Sequence, residues 1–481
     1  MALKTPEAYR ESLRDGRQLY IDGRKVADVT TDPAFAVPVA WGARDYAYDD
    51  PKLGDLLTYT DSDGQRHARI FQIPRSGEEL ARRMELLRHV SIIGATAGSL
   101  FALLHVKDQI GAVNADYARN IERLYEHCRD NDLRVAEVIT DAKGDRSRHP
   151  LKQDDPDLYT RVVERRSDGI VVRGAKLHIT GAAIVHELIV MPTKAMGPGE
   201  EDYSLAFSIP TNTPGVKIIN RTYGSETRSE FDYPVSGRLS MPEGFVIFDD
   251  VFVPWDRVFL CGEYQQAQAF AHALGLWERI GSLVLITERA EMLVGATQLI
   301  AEYNGIDRAS HVVEKITELI MFHEVLRMAL DSAVRNCHTG PSGMVYPDPM
   351  AVTVGKYHAA MHHHGIIRHV HDIAGGLVVT LPMEADYRNP ELRPYFEKYL
   401  HTKEGVAVED RMRLYNFIRD ISADTYGGWE VVTTLQAGGG LGAQRIMGYR
   451  GYDLDAAKQL VREFAGIGAP AQAPKAAPAG R

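Results

Sequence analysis

Cysteine is scarce in this chain. The 481 residues include three cysteines, Cys128, Cys261 and Cys337, which are widely separated and form no Cys-x-x-Cys pair. Disulfide-rich domains and zinc modules need closely spaced, paired cysteines. The sequence therefore predicts buried free thiols, and neither a disulfide scaffold nor a zinc module.

Long apolar runs are missing as well. No stretch approaches the ~20 apolar residues that cross a bilayer. The N-terminal residues Met1–Glu7 lack the apolar core of a secretory signal. These absences predict a cytoplasmic protein with no membrane partner.

The chain has no excess of positive charge. Its formal net charge is −10 at pH 7, with 25% charged residues. Because nucleic acids attract a basic field, we expect no nucleic-acid partner. The 44% hydrophobic content is ordinary for a soluble globular protein, and the length allows two or three domains.

Hydrophobic periodicity divides the first half of the chain. From Glu78 to Asn131, apolar residues recur at steps of three and four, which predicts helices. From Arg161 to Val258 the pattern changes to short β-type runs separated by Gly, Pro and Asn. We expect a mainly helical N-terminal domain over residues 1–140 and a middle β-barrel over residues 141–264.

The second half of the chain is again helical. Long periodic segments run from Ile280 to Tyr303, from Val312 to Cys337 and around residues 350–373. Helices of this length pack into bundles, and their apolar faces can extend into subunit contacts. We expect a C-terminal helical bundle over residues 265–465, and a homotetramer or homodimer. The composition of residues 466–481 predicts a disordered tail, and the fold class is α+β.

Two polar segments carry the strongest chemical signal. Residues 140–147 read Thr-Asp-Ala-Lys-Gly-Asp-Arg-Ser, and residues 174–181 read Gly-Ala-Lys-Leu-His-Ile-Thr-Gly. The Lys143 ammonium, the Arg146 guanidinium and the Ser147 hydroxyl donate hydrogen bonds to anions, which suits a pyrophosphate. The same composition also occurs in ordinary turns, so the octapeptide alone leaves both interpretations open.

Five blocks of sequence resemble, in the same order along the chain, the 4-hydroxyphenylacetate 3-hydroxylase family of flavin enzymes. The blocks are residues 9–20 with Gly23 and 26–29, residues 145–147, residues 174–176 with Thr180 and Gly181, residues 248–258, and residues 374–377 ending at Pro382. The resemblance implies an acyl-CoA-dehydrogenase-like fold and FAD as the cofactor. It implies that FAD is bound by Thr140, Asp141, Lys143, Asp145, Arg146, Ser147, Thr180 and Gly181.

The family has two branches with different chemistry. One branch hydroxylates phenols with FADH2 that a separate flavin reductase supplies. The other, typified by 4-hydroxybutyryl-CoA dehydratase, adds an iron–sulfur cluster and eliminates water from an acyl-CoA. Residues 140–147, 186–193, 301–305 and 439–447 are more similar to the second branch.

The side chains that define each branch are changed here. The family's cluster ligands, Cys-x3-Cys and His-x6-Cys, correspond to Gly94–Leu100 and Glu278–Leu285, and neither segment contains a cysteine. The dehydratase's C-terminal glutamate falls on Gly442. The hydroxylase's substrate-reading Arg and Tyr are replaced within residues 94–102, and its histidine falls on Glu137. The resemblance therefore implies the scaffold and leaves the reaction open.

A phenol hydroxylase needs a general base with a pKa near neutral pH. Candidates in the sequence are Glu137, His105, His178 and His186. The resemblance to the dehydratase adds Glu243, close to a functional glutamate, and Glu278, at the position of a ligand histidine. The predicted catalytic set is Glu137, His178, His186, Glu243 and Glu278.

A histidine-rich segment invites a metal interpretation. It contains His358, His362, His363, His364, His369 and His371. No HExxH motif and no carboxylate at ligand spacing accompanies them, so we predict no metal site. We expect one or two of these histidines to line the flavin or a subunit boundary.

The leading hypothesis is a two-component, FAD-dependent monooxygenase that receives FADH2 from a flavin reductase and hydroxylates a small aromatic substrate. One alternative is a cluster-free acyl-CoA enzyme: an isomerase, a dehydratase-like lyase or a dehydrogenase. Another is a flavin-binding homologue that has lost catalysis, because both known sets of catalytic side chains are substituted.

Overall fold

Helices surround two β-sheets in the computed structural model, which describes residues 3–223 and 229–467. The N-terminal elements are α1 (Pro6–Ser12), β1 (Leu19–Ile21), β2 (Arg24–Val26), α2 (Ala36–Arg44), α3 (Gly54–Leu57), β3 (Thr58–Thr60), β4 (Arg66–Ala68), α4 (Gly77–Leu87), α5 (Ile92–Ala95), α6 (Gly98–Gly111), α7 (Ala115–Asp130), β5 (Val135–Val138) and β6 (Thr140–Asp141).

The predicted helical pattern over residues 78–131 is confirmed by α4 to α7. Two of these helices begin at side-chain caps: Ser76 accepts from the backbone N–H of Glu79 before α4, and Asn114 accepts from that of Asp116 before α7. Such caps satisfy N–H groups that the first helical turn leaves free. Local sequence therefore defines where these helices begin.

The middle of the chain forms most of the strands. Its elements are β7 (Arg161–Arg165), β8 (Gly169–Thr180), β9 (Glu187–Val190), β10 (Leu205–Pro210), β11 (Val216–Arg221), α8 (Ser236–Leu239), β12 (Glu243–Pro254) and β13 (Val258–Cys261). A seven-stranded sheet has the order β2-β1-β11-β12-β8-β6, with β7 also paired to β8. A four-stranded sheet has the order β13-β10-β9-β5.

The prediction of a closed barrel was wrong for the described residues, because the seven-stranded and four-stranded sheets are both open, and β3–β4 and β14–β15 form separate two-stranded sheets. Strands from the first 141 residues pair with the middle strands: β1 runs parallel to β11, β5 runs parallel to β9, and β6 pairs with β8. These strands occupy positions at or near the sheet edges, so the middle strands do not close on themselves. Pairing between distant segments is invisible to a local pattern of alternating residues.

The C-terminal part is built from long helices. Its elements are α9 (Ala267–Asn304), α10 (Ser310–Arg335), β14 (His338–Thr339), β15 (Val345–Tyr346), α11 (Pro349–Ala374), α12 (Leu377–Thr380), α13 (Glu384–Arg388), α14 (Arg393–Tyr399), α15 (Val408–Ser422), α16 (Thr425–Gln436), α17 (Leu441–Gly451) and α18 (Leu454–Ala465). The three longest helices, α9, α10 and α11, pack against one another, which confirms the predicted long helical segments.

One helical segment is long and apolar enough to cross a membrane by length and composition. Residues Tyr264–Asn304 include an 18-residue window of mean hydropathy 1.3, and 61% of that window is buried inside the protein. A helix buried to this extent is typical of the core of a globular bundle. We therefore interpret α9 as the central helix of the C-terminal bundle.

The last described helix, α18, has no buried residue. Its apolar side chains Leu454, Leu460, Val461 and Phe464 are all exposed, and Phe464 is 88% exposed. The helix ends at Gly466, whose φ of 67° lies in the left-handed region. Most of the predicted tail, residues 468–481, lies outside the described residues.

Candidate active site

The polar loop, defined as residues 140–147, leaves the sheet through a buried ion pair. Lys176 Nζ lies 2.8 Å from Asp141 Oδ1, and both side chains are 3% exposed. Asp141 also accepts a hydrogen bond from the backbone N–H of Thr160, and Lys176 donates to the carbonyl of Ile139. Burial lowers the pKa of Lys176, and the Asp141 carboxylate opposes that shift. Protein groups therefore engage Asp141 and fix where the loop starts.

The rest of the polar loop is a tight turn. Lys143 and Gly144 have φ values of 70° and 51°. A Cβ on Gly144 would lie 2.4 Å from Gln153 Oε1, so the turn needs glycine at this position. Asp145 Oδ1 accepts hydrogen bonds from the backbone N–H and the hydroxyl of Ser147, at 3.0 and 2.7 Å. The hydrogen bonds between Asp145 and Ser147 therefore hold the turn together.

Positive charge gathers at the polar loop. Burial lowers the pKa of Lys143, and the charges of Arg146, Lys176 and Lys194 lower it further. Arg146 is exposed, and Lys194 lies 5.2 Å from the centre of the Tyr159 ring. Neighbouring cations repel one another, and a bound anion relieves that repulsion. The loop can therefore hold a phosphate group.

The Thr-Gly corner, defined as Thr180 and Gly181, follows β8. Gly181 has a φ of 73°, and its N–H donates to the carbonyl of Pro242 at 2.8 Å. A Cβ on Gly181 would lie 2.4 Å from Ile93 Cγ2 in α5. The corner therefore packs directly on the short helix that precedes α6.

Glu243 links this corner to the C-terminal bundle. Its Oε1 accepts hydrogen bonds from Thr180 Oγ1 and from Trp429 Nε1, both at 2.8 Å. Its Oε2 is buried and has no hydrogen-bond partner among the described residues. Burial raises the pKa of Glu243, and the hydrogen bonds from Trp429 and Thr180 oppose the rise.

Glu137 of β5 and Trp277 of α9, the residue before Glu278, both border the start of α6; Glu137 and Glu278 are called the carboxyl pair below. A Cβ on Gly98 would lie 3.3 Å from Glu137 Oε1 and 3.7 Å from Trp277 Cβ. Burial, together with the charge of Glu278, raises the pKa of Glu137 well above its usual value, while the backbone N–H of Ser99 opposes the rise. Burial also raises the pKa of Glu278. Both groups are therefore poised to carry a proton.

The segment before α17 closes over Glu278. The backbone N–H of Gly438 donates to the Glu278 carboxylate, and Arg279 Nε donates to the Gly438 carbonyl at 2.7 Å. Lys356 of α11 donates to the carbonyl of Thr434. Burial lowers the pKa of Lys356 to about 8, and the charge of Glu278 opposes that shift. Three separate segments thus enclose this carboxylate.

A buried arginine lies on the other side of Glu137. Arg83 is 3% exposed, and its guanidinium carbon lies 4.0 Å from the centre of the Phe101 ring and 5.9 Å from that of Trp277. Its Nη1 donates to the carbonyl of Ile70 at 2.8 Å. Among the described residues, neither Arg83 Nε nor Trp277 Nε1 has a hydrogen-bond acceptor. Two buried N–H donors are therefore available beside Glu137.

His186 has a different environment from the carboxyl pair. Its Nε2 lies 2.8 Å from Ser12 Oγ, and its Nδ1 accepts from the backbone N–H of Arg134 at 3.0 Å. Burial lowers the pKa of His186 well below its usual value, and the charges of Arg17, Lys4 and Arg134 act in the same direction. Both ring nitrogens are occupied by protein groups.

His178 and His105 also lie apart from the carboxyl pair. His178 is exposed and has a φ of 61°, where the pairing of β8 with β12 changes register. The ring of His105 in α6 packs against that of Tyr346 at 4.5 Å and a tilt of 50°, and burial lowers the pKa of His105. Of the predicted set, Glu137 lies at the start of α6, where Trp277, the residue before Glu278, also lies, and Glu243 lies beside the Thr-Gly corner.

The histidine-rich segment lies on α11. Within residues 3–223 and 229–467, no group of three or more His, Cys, Asp or Glu side chains is placed to hold a metal ion. The rings of His358 and His362 lie 4.4 Å apart with a tilt of 40°, and His371 Nε2 lies 2.8 Å from Ser422 Oγ. Burial lowers the pKa of His363 to about 4.

The three cysteines belong to three different elements. Cys128 is buried in α7, Cys261 ends β13 and Cys337 follows α10. Protein-bound iron–sulfur clusters are held largely by thiolates that converge on one place.

Sequence analysis missed five polar side chains that border these groups: Arg83, Lys194, Trp277, Lys356 and Trp429. A signal for Arg83 was present, because it falls three residues after Leu80 and four before Leu87, on the apolar face of α4. A charged residue on a buried helix face is unusual and often functional. The other four carry no comparable local signal.

Two family models together match nearly the whole chain. The model described as 4-hydroxyphenylacetate 3-hydroxylase N terminal matches residues 5–260, and the model described as 4-hydroxyphenylacetate 3-hydroxylase C terminal matches residues 267–466.

Curated relatives fall in both chemical branches. The chain is 31% identical to a 4-hydroxybutyryl-CoA dehydratase/vinylacetyl-CoA-Δ-isomerase of Clostridium aminobutyricum, over 97% of this chain and 100% of that protein. It is 32% identical to the oxygenase component of a 4-hydroxyphenylacetate 3-monooxygenase of Thermus thermophilus, over 88% of this chain and 89% of that protein.

Solved structures give the same pair of similarities. An oxygen-tolerant archaeal 4-hydroxybutyryl-CoA dehydratase from N. maritimus has a TM-score of 0.90 and 30% identity, covering 98% of this chain and 97% of its own. The oxygenase component of a 4-hydroxyphenylacetate 3-monooxygenase, complexed with FAD, has a TM-score of 0.85 and 30% identity, covering 96% and 98%.

Proposed function

The chain belongs to the 4-hydroxyphenylacetate 3-hydroxylase family, and from this premise we propose that it is the oxygenase component of a two-component monooxygenase. It is a flavin-dependent oxidoreductase that uses FAD, takes FADH2 from a separate flavin reductase and hydroxylates a small aromatic substrate. The relatives named as oxygenase components support this assignment.

One structural observation carries the proposal. The Thr-Gly corner and Glu137 border the segment from α5 to α6, and the cationic polar loop follows Glu137 in the chain. The corner contacts Ile93 of α5, Glu137 lies against Gly98 of α6, and the polar loop begins three residues after Glu137. An anion-binding loop next to ionisable groups is what a flavin enzyme needs at its reaction centre.

FAD fits the groups available here. Lys143, Arg146 and Lys194 would neutralise its pyrophosphate, and Thr180 and Gly181 would border its ring system. When bound and reduced, FAD supplies the electrons that activate dioxygen for insertion of one oxygen atom into the ring of the substrate. The iron–sulfur cluster of the dehydratase branch does not fit the donor set, so no step is assigned to it.

The side chains around Gly98 would handle the substrate. A phenol becomes reactive at its ring when its O–H proton is removed, and Glu137 is the candidate group to accept that proton. Phe101 and Trp277 are almost fully buried and present apolar rings there. Apolar walls exclude water and strengthen polar contacts to a bound substrate.

We further propose the wider assignments that accompany this function. The subunit has an acyl-CoA-dehydrogenase-like arrangement, with domains over residues 1–140, 141–264 and 265–465. It works in the cytoplasm as a homotetramer or homodimer. The exposed apolar face of α18 supports assembly with further copies.

The proposal is tested with the purified protein and chemically reduced FAD. Reduced enzyme is mixed with dioxygen carrying an oxygen isotope label and with a panel of phenols. We expect a hydroxylated product that carries one labelled oxygen atom. If reduced FAD does not bind, or no phenol gains labelled oxygen, the proposal is rejected.

The polar loop offers a more specific test. Arg146→Ala should weaken binding of reduced FAD about tenfold, because a charge-assisted contact to phosphate is lost. Arg173→Ala is the matched control, since Arg173 is an arginine of β8 whose side chain is 42% exposed and pairs with Asp250. Equal affinities of the two variants would contradict a phosphate site at the loop.

A second candidate function is acyl-CoA chemistry without a cluster. Its support is the full-length similarity to the dehydratase of Clostridium aminobutyricum. An acyl-CoA that shifts the spectrum of the bound flavin and is converted to product would favour it. A flavin spectrum indifferent to every acyl-CoA tested would reject it.

A further inference from the structure

The short helix α5 lies between the Thr-Gly corner and helix α2. Its residue Ile93 is fully buried. A Cβ on Gly181 of the corner would lie 2.4 Å from Ile93 Cγ2, and a Cβ on Gly42 of α2 would lie 2.9 Å from Ile93 Cδ1. Distances this short leave no room for a further carbon atom unless Ile93 moves. The Ile93 side chain therefore fills the space between the two glycines, so the position of α5 determines that of the corner.

Asp45 holds the start of α5. Its Oδ1 accepts a hydrogen bond from the backbone N–H of Ser91, and its Oδ2 accepts one from the Ser91 hydroxyl, both at 2.7 Å. Ser91 is the N-cap residue of α5, yet its side chain accepts no hydrogen bond from the first turn of that helix. Serine at an N-cap ordinarily satisfies that turn. Here the hydroxyl instead ties α5 to Asp45, the residue that ends α2.

Further contacts fix α5 at both of its ends. A Cβ on Gly94 would lie 2.7 Å from Asp45 Oδ2, so the carboxylate lies directly against the backbone of α5. After the last residue of the helix, Thr96 Oγ1 donates to the carbonyl of Val135 in β5 at 2.7 Å. The helix is therefore anchored to α2 at its start and to β5 at its end.

A buried cation holds Asp45 in turn. Arg134 Nη2 donates to the Asp45 carbonyl at 3.2 Å, and Arg134 Nε lies 3.8 Å from Asp45 Oδ2. Arg134 also pairs with Asp132 at 2.8 Å and lies over the ring of Tyr46. Burial raises the pKa of Asp45 to about 6, and the charge of Arg134 and the hydrogen bonds from Ser91 oppose the rise. The carboxylate form therefore predominates at pH 7.

We propose that Asp45 is a positioning residue of the cofactor site: through Ser91 it fixes α5, and through Ile93 it fixes the Thr-Gly corner. Small displacements of the groups that hold a reacting molecule are costly to binding and catalysis. Asp45 acts through these contacts and touches neither cofactor nor substrate. The identity of the cofactor rests on the proposed function, whereas the link from Asp45 to the corner does not.

The link is tested first without cofactor, by hydrogen–deuterium exchange of the peptide over residues 179–185. The Gly181 N–H donates to the Pro242 carbonyl at 2.8 Å, and such a bond protects the amide from exchange. In Asp45→Ala, exchange of this peptide should be at least about tenfold faster than in the wild type, because α5 is released. Asp45→Asn keeps an oxygen for the Ser91 N–H and an amide group for its hydroxyl, so exchange should stay within about threefold of the wild type.

The second measurement is the affinity for reduced FAD. Asp45→Ala should weaken binding at least about tenfold, and Asp45→Asn should keep it within about threefold of the wild type. Asp348→Ala is the matched control, because Asp348 likewise accepts from a backbone N–H at the start of a helix, that of Ala351 in α11 at 2.7 Å. Its loss should leave both the exchange at the corner and the affinity unchanged.

Two milder variants keep the proposal testable if Asp45→Ala does not fold. Ser91→Ala removes only the hydroxyl bond and leaves Asp45 beside Arg134. Ile93→Ala removes the contact with the corner. Because both residues belong to one link, their effects on exchange at the corner should be less than additive in the double variant. Additive effects would show that the two residues act independently and would overturn the link.

The remaining outcomes separate this proposal from the proposed function. Unchanged exchange at the corner in Asp45→Ala would overturn the positioning role, as would equal losses in Asp45→Asn and Asp45→Ala. Faster exchange with an unaltered affinity for reduced FAD would overturn it as well, because the corner would then not bear on cofactor binding. Faster exchange in a protein whose wild type binds no reduced FAD would leave the link standing and reject the proposed function.

Discussion

Lys176 and Asp141 form the buried ion pair from which the polar loop extends. Each partner is almost completely removed from solvent, so each depends on the other for a compensating charge. Truncating one member of such a pair leaves an uncompensated charge in the interior. The position of the loop and the stability of the fold are therefore coupled at this single contact.

We predict that Lys176→Met lowers the free energy of unfolding by about 3–5 kcal/mol, because it leaves the Asp141 carboxylate buried and unpaired. Urea denaturation followed by circular dichroism measures the change. Lys217→Met is the control: Lys217 pairs with Asp249 on the surface, and its loss should change stability by about 1 kcal/mol or less. Similar losses in the two variants would contradict the assignment.

The sequence identified part of the site at the level of single residues. Glu137 and Glu278 could be named because they stand where the family keeps a histidine and a ligand. Their proximity could not be foreseen, since it depends on how β5, α6 and α9 pack. Lys356 and Trp429 reach the site through α11 and α16, and no local pattern marks either position.

The start of α6 shows how one element positions Glu137. A methyl group on Gly98 would lie 3.3 Å from Glu137 Oε1, closer than most such contacts, so the Glu137 carboxyl has to move by a few tenths of an ångström. We predict that Gly98→Ala lowers the hydroxylation rate at least about tenfold while the protein stays folded. Steady-state kinetics and thermal melting of the same preparation provide the measurement.

Gly365→Ala is the matched control for Gly98→Ala. Gly365 lies inside α11 with open space around the added methyl group. This variant should keep full activity and gain up to about 1 kcal/mol of stability, because alanine favours a helix more than glycine does. Full activity in Gly98→Ala would show that Glu137 can accommodate the added methyl group, which would contradict the prediction.

Elements with strong local patterns were predicted best. The helices from α4 to α7 and from α9 to α11 have long amphipathic or apolar periodicities that local sequence defines. The sheets were predicted less well, because their order depends on pairings between segments far apart in the chain. The prediction of a closed barrel was wrong because it could not include the parallel pairs β1 with β11 and β5 with β9.

At the scale of the whole molecule, the carboxyl pair makes stability depend on pH. The pKa values of both groups are raised by burial, so the folded protein keeps protons that the unfolded chain releases. These protons contribute fully to the free energy of unfolding below the usual glutamate pKa of about 4.3. That contribution is lost as the pH rises through the folded pKa values.

We therefore predict that the Glu137→Gln/Glu278→Gln double variant becomes increasingly stable relative to the wild type as the pH rises above about 4.3. The gain is about 1.4 kcal/mol for each unit by which a pKa is raised. Urea denaturation at a series of pH values measures both proteins. Parallel stability curves would contradict the raised pKa values.

The exposed apolar face of α18 gives a prediction about assembly. Phe464→Lys combined with Leu460→Lys should reduce the molar mass in light scattering, because charge opposes burial of that face against another copy. The fold should be unaffected, since no residue of α18 is buried. Val113→Lys, at another exposed apolar position, should leave the mass unchanged. An unchanged mass in the double variant would show that assembly does not use this helix.

The strand β1 pairs with β2 on one side and runs parallel to β11 on the other, with Leu19 opposite Ile218, so its second edge has no partner until about 200 more residues have been translated. At roughly 5–20 residues per second, that interval lasts about 10–40 seconds on the ribosome. During this time the edge of β1 that will pair with β11 remains unpaired in the growing chain. Synthesis speed, and any chaperone that covers the nascent N-terminus, should therefore govern the yield of active protein.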